Sequence, residues 1–333
     1  MPPWLTNTAG CLLNPPNRSD ATQSRSGEGN HTEAVHISPA CLPSLPLMRT
    51  ALRLGLMVVS ILLAACGTAD PATGSTSADS SAEPFGADAA GFAASSNLAV
   101  GTERMLVAIT NDSGQRLPSP DIPITLEVWL DGRDFQRQIV DGTFMWAIPD
   151  VSGLYRGTVQ FDTPGTWYVS VTPEGGAPLA AFPVTVYEEP FTPTAGDPAP
   201  RSETLTSADA PISEISSDFN PNPAFYEMSV AEAVTSGRPS VIAFATPRFC
   251  TTAICQPTLV LLRDLSPGYP EVNFLHVEVF TNINDPDNIV LAPAVDEWGL
   301  PTEPWVFVVD AEGIIMGRFE GLVTPEELAA LLG

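Results

Sequence analysis

The sequence predicts a multidomain chain: an all-β sandwich followed by an α/β domain. Three observations carry this. Residues 97–188 hold six short runs rich in Val, Ile, Thr and aromatics, separated by Gly, Pro, Asn and Asp. From residue 218 the texture changes to apolar runs alternating with helix-start signals. The 34 prolines crowd residues 1–47, 117–123 and 190–223, so they punctuate the chain rather than fall within packed elements.

At 333 residues there is room for two ordinary domains with linkers. The charge balance is 14 basic against 39 acidic residues, every basic residue is Arg, and the net charge is −25. So acidic a chain excludes nucleic acid and anionic membrane surfaces as direct partners.

Taken in order, residues 1–47 are polar and rich in Pro, Ser and Asn, without helical or strand periodicity. They read as a mis-annotated or disordered extension upstream of a true start at Met48, which leaves Cys11 and Cys41 without function. Residues 48–66, MRTALRLGLMVVSILLAAC, place Arg49 and Arg53 before an apolar run from Leu54 to Ala65. That is the pattern of a secretory signal, too short for a spanning helix of about 20 residues. Leu63-Ala64-Ala65-Cys66 resembles the lipobox of bacterial lipoproteins, which implies lipidation at Cys66 and a lipid anchor on the extracytoplasmic side of a membrane. Residues 67–94 are small and polar and read as a disordered tether. Cys250 and Cys255 are then expected in a cell-envelope compartment where disulfides persist.

Residues 95–190 supply the strands MLVAITN, ITLEVWLDG, GTFMWAI, LYRGTVQF, TWYVSVTP and AFPVTVYEE. LEVWL alternates, with Leu126, Val128 and Leu130 on one face and Glu127 and Trp129 on the other. Six or seven strands in this length predict an immunoglobulin-like (Ig-like) sandwich. GLYRGTVQFDTPGTWYVSV resembles the closing strands of small Ig-like domains of bacterial envelope proteins. This segment has neither His nor Cys, so a spacer or docking role is expected and a metal site is not.

Residues 191–217 read as a linker and 218–333 as the α/β domain. Ser229 to Glu232 has capping-box spacing; SVIAFAT is a buried strand; PTLVLLRDL is an apolar helix; EVNFLHVEVF is a second strand and APAVDEW a second main helix. WVFVVD and IIMGRFEG form a hairpin, and Thr324, Pro325 and Glu327 open a last helix.

The order α-β-α-β-α-β-β-α resembles the thioredoxin-like fold over about residues 218–333. VIAFATPRFC matches the strand that runs into an active-site Cys, and Trp298-Gly299-Leu300-Pro301-Thr302-Glu303-Pro304 matches the segment that ends in the cis-proline. The resemblance implies a thiol–disulfide oxidoreductase, an extracytoplasmic protein client, no cofactor and no metal, with Cys250, Cys255 and Pro304 as catalytic residues. Arg248, and a hydroxyl of Thr251 or Thr252, would favour a thiolate at Cys250, and Glu303 would oppose it.

The motif departs from the family's Cys-x-x-Cys, because four residues separate Cys250 from Cys255. In a regular helix that spacing puts the Cα atoms beyond the roughly 7 Å a disulfide tolerates. Either the helix starts near Cys250 and unwinds on oxidation, or it starts at Pro257 with both cysteines in the preceding loop. Cys-Thr-x-x-x-Cys also resembles the cysteine pair of bacterioferritin-comigratory-type peroxiredoxins, although Thr246 and Ala243 do not match their Thr and Pro. Further alternatives are a structural disulfide in a binding lipoprotein, and a copper-chaperone-like pair that would need His276.

Overall fold

The structure, a computed structural model, describes residues 83–333, which belong to one compact unit. It is β-rich, with several sheets and few, short helices. No helix among the described residues is long and apolar enough to cross a membrane.

The first half contains β1 (Ala90–Ala93), β2 (Leu98–Ala99), β3 (Gly101–Thr110), β4 (Ile124–Leu130), β5 (Gln138–Ile148), β6 (Ser152–Phe161), β7 (Gly165–Pro173) and β8 (Phe182–Tyr187). Their order is β1-β3-β6-β5-β4-β7-β8-β2. β5 joins the two halves of this order: Gln138–Gly142 pairs with β4, and Thr143 onward pairs with β6. At the changeover sits Gly142, where a Cβ would run into the Ile124 side chain. The folded-over sheet encloses Met105, Val107, Ile109, Tyr155 and Phe161 together with Leu126, Val128, Trp167, Val169 and Val171. The alternation of β4 is as its sequence predicts, with Leu126 and Val128 fully buried and Trp129 outside, stacked on Tyr168.

Two features differ from expectation. The stretch expected to be tether up to residue 94 contributes β1, which pairs with β3, and Phe85, which is buried against Tyr155. The expected linker 191–217 is an ordered strap. Gly196 N–H donates to Ile315 O and Ile315 N–H to Asp197 O, both at 2.9 Å, while Thr192, Ser202 and Thr206 are buried. Proline-rich sequence lacks side-chain periodicity, yet its backbone still pairs with a strand edge.

After α1 (Ile212–Ile215) and α2 (Val230–Ala233), the second half is built on β9 (Ser240–Ala245), with α3 (Cys255–Leu265), β10 (Asn273–Glu278), β11 (Phe280–Thr281), β12 (Val290–Leu291), α4 (Pro293–Glu297), β13 (Trp305–Val309), β14 (Ile315–Glu320) and α5 (Pro325–Leu332). The main sheet has the order β10-β9-β13-β14. β10 runs parallel to β9, β13 antiparallel to β9, and β14 antiparallel to β13. β9 and β13 are buried on both faces, which is why their sequences are continuously apolar. Ile242, Phe244, Trp305 and Phe307 pack with Val230 of α2 and with Val295 and Trp298 around α4. Val241, Ala243, Val306 and Val308 pack with Leu259 and Leu262 of α3 and Leu328 of α5. Both predicted capping boxes are formed, at Ser229–Glu232 and Thr324–Glu327.

The signal segment, Cys66, Cys11 and Cys41 lie outside the described residues.

Candidate functional site

β9 ends at Ala245, and the chain loops out before entering α3 at Cys255. Cys250 lies in that loop, half-buried; Cys255 opens the helix with no exposed surface. The two form a disulfide with Cα atoms 6.2 Å apart. Of the two arrangements open from the sequence, the structure adopts a loop for Cys250 but starts the helix two residues before Pro257. Pro257 then occupies the third helical position, where its missing N–H removes no intrahelical bond. Ala253, at φ 62°, makes the left-handed turn that folds a five-residue separation back to disulfide distance.

Two donors converge on Cys250. The Cys255 backbone N–H donates to Cys250 Sγ at 3.4 Å, and Thr252 Oγ1 lies 3.3 Å from the same sulfur. Both would stabilise a thiolate there, assisted by the positive end of the 11-residue helix α3. Of the two threonine hydroxyls the sequence offers, that of Thr252 lies at Cys250. Thr251 instead turns its backbone N–H toward the Glu303 carboxyl. Burial pushes the Glu303 carboxyl up, and the Thr251 backbone dipole partly opposes that shift. The following Glu303–Pro304 peptide is cis, Pro304 is buried, and Pro304 O accepts from Gly321 N–H at 2.8 Å. Trp305 pairs with Phe244, so the proline stands beside the end of the strand that feeds the cysteine loop.

Arg248 turns toward another loop. Its guanidinium donates to Ile283 O and Asn284 Oδ1, each at 3.1 Å, and makes no hydrogen bond to either cysteine. A side chain two residues from Cys250 is free to turn either way, and here two uncommitted oxygens on the 283–284 loop capture it.

His276 is a core residue. Nε2 donates to Ala245 O at 3.0 Å, and Nδ1 accepts from Tyr226 Oη at 2.7 Å. With both nitrogens engaged and the ring buried, it offers no lone pair to a metal. No cluster of three or more His, Cys, Asp or Glu able to hold a metal occurs among the described residues.

Residues from the first half also reach this loop. Arg116 Nη2 donates to Thr252 O at 3.1 Å. Ile254, the residue before Cys255, is buried with Leu322 in a cluster completed by Leu106, Ala108, Met145, Ala147 and Leu154 of β3, β5 and β6. Sequence reading misses these contacts. Ile254 looks like one more apolar residue of its own helix, and Arg116 lies in a polar turn more than 130 positions away.

No family model and no curated protein matches the chain. Among solved structures, the crystal structure of the Lin-41 filamin domain aligns with 30% of this chain and 93% of its own length, at 11% identity and a TM-score of 0.21. A score that low carries no argument about fold or function.

Proposed function

We propose that the protein is an envelope-anchored thiol–disulfide oxidoreductase of thioredoxin-like type, exchanging disulfides with an extracytoplasmic client through Cys250 and Cys255. The observation that carries this reading is the unequal exposure of the pair. Cys250 is half-buried and receives two hydrogen-bond donors; Cys255 is sealed behind it at the first residue of a helix. An attacking thiol has to be reached and ionised, whereas a resolving thiol needs only to be near. Further support comes from the sheet order β10-β9-β13-β14 and from the position of Pro304 directly before β13. The first half is read as an Ig-like sandwich. The anchor at Cys66 rests on the sequence of residues 48–66 alone, and radiolabelled fatty acid recovered on the wild type but not on Cys66→Ala would establish it.

In the reaction, the Cys250 thiolate attacks one sulfur of a client disulfide. The client S–S bond breaks, its other sulfur leaves as a thiolate, and a mixed disulfide joins Cys250 to the client. Cys255, ionised in turn, attacks the Cys250 sulfur and releases the second client thiolate. Two electrons pass to the client, the protons from the two cysteines neutralise its thiolates, and the Cys250–Cys255 disulfide of the structure is the product. A client dithiol drives the same steps in reverse.

The test is the reduction potential of the pair in the full chain, equilibrated against glutathione and read by peptide-resolved thiol trapping. A potential above about −250 mV is expected for an exchanging disulfide, and a value below about −300 mV would make the pair a structural clip and end this reading. Cys255→Ser is expected to accumulate mixed disulfides that Cys250→Ser does not form.

A further inference from the structure

The segment from Thr251 to Ile254, between the two cysteines, is thinly covered by its own half of the molecule. Thr251, Thr252 and Ala253 are exposed, Ala253 sits in the left-handed region, and the N-cap position of α3 is Ile254, which has no capping side chain. Capping by Ser, Thr, Asp or Asn is the usual way to fix a helix start. Here the start is fixed from outside. Ile254 is 6% exposed because the outer face of the sandwich covers it, and Gly321 lies between Leu106 and Ile254, where a Cβ would sit in ordinary contact with both side chains. Arg116 holds the other end of the segment through Thr252 O. The two attachments bracket Ala253 and end one residue before Cys255.

We infer that the sandwich sets the redox equilibrium of the cysteine pair, with Ile254, Arg116 and the Leu106–Met145–Leu154 face as positioning residues for the exchange reaction. This rests on the oxidoreductase reading and deepens it, since the first half becomes part of the site. The physical reason is entropy. When the disulfide takes up two electrons and two protons from glutathione, giving two thiols and glutathione disulfide, a loop of this length gains freedom that favours the reduced form. A loop held at Thr252 and Ile254 gains less. Cys250 and Cys255 then remain at disulfide distance, with a high effective concentration for re-closure.

Removing the hold therefore shifts the equilibrium toward the dithiol. Ile254→Ala in the full chain is expected to raise the dithiol-to-disulfide equilibrium constant against glutathione about tenfold, which corresponds to about 30 mV toward a more oxidising pair. Arg116→Ala, a surface change that leaves the apolar cluster intact, is expected to shift it in the same direction by about threefold. Both are read by peptide-resolved trapping of Cys250 and Cys255, with near-UV circular dichroism showing that each variant is folded. A purely structural role for Ile254 would lower the melting temperature and leave the potential unchanged. Wild-type potential in both variants would overturn the inference. A wild-type pair below about −300 mV would instead remove the reading on which it rests, so the two failures are distinguishable.

Discussion

At the residue scale, the feature with the clearest chemical consequence is Glu303. It lies near the Thr251 backbone of the cysteine loop and is followed by the cis-proline. Burial lifts its carboxyl pKa. A carboxyl whose folded pKa lies above the unfolded value contributes stability that is full at low pH and lost as pH rises through the folded pKa. The window for Glu303 thus lies above its ordinary value of 4.5, and Glu303→Gln is expected to flatten the pH dependence of urea stability there. The same charge opposes ionisation of a nearby thiol. Glu303→Gln is therefore also expected to lower the Cys250 thiol pKa in the reduced protein. Alkylation rate of Cys250 against pH reads this directly; an unmoved profile would mean the carboxylate does not act on the sulfur.

At the element scale, what could be read from the sequence follows from how each element is specified. β9 and β13 are buried on both faces and need unbroken apolar runs, so SVIAFA and WVFVV announce them. The caps of α2 and α5 were equally legible, because Ser229–Glu232 and Thr324–Glu327 place both partners within four residues. β1 was not. AGFA has almost no strand preference and exists because the edge of β3 offers it backbone partners. The strap was also hidden, since its hold on the molecule is mostly backbone. Of the site, the cysteine pair and Pro304 were legible as spacing, whereas the direction of Arg248 and the burial of Ile254 depend on residues distant in sequence. One residue tests the strap. Gly299 has φ +60°, and a Cβ there would collide with Phe191 O at the strap's start. Gly299→Ala is expected to cost about 1–3 kcal/mol and to open residues 191–199 to proteolysis. Unchanged cleavage would show that the strap does not depend on this contact.

At the scale of the whole molecule, the chain carries a net charge of −25 with only 14 basic residues, and four of its arginines, Arg104, Arg116, Arg156 and Arg318, lie at the seam between the halves. Glu327 is the anchor. Oε1 accepts from Arg104 Nε and Arg156 Nη1, both at 2.7 Å, and Oε2 accepts from Arg104 Nη2 and from its capping partner, Thr324 N–H, both at 3.0 Å. Burial alone would lift this carboxyl, but the Arg104 and Arg156 hydrogen bonds, the Arg104 charge and the Thr324 N–H outweigh it and hold the pKa low. Across the same seam Glu103 is shifted the other way, upward by burial despite the Arg318 ion pair. The two carboxyls therefore pull in opposite directions with pH. Glu327 supplies stability that is present above its unfolded value of 4.5 and lost as pH falls through its depressed folded pKa; Glu103 regains stability on acidification.

Glu327→Gln is expected to remove the low-pH loss, leaving a urea midpoint that rises on acidification under the influence of Glu103. Glu327→Ala, which also removes the side-chain half of the α5 capping box, is expected to cost about 2–3 kcal/mol at pH 7. Urea midpoints of wild type and both variants between pH 7 and pH 3 would decide it. Parallel curves would mean that Arg104 and Arg156 contribute packing rather than charge at Glu327.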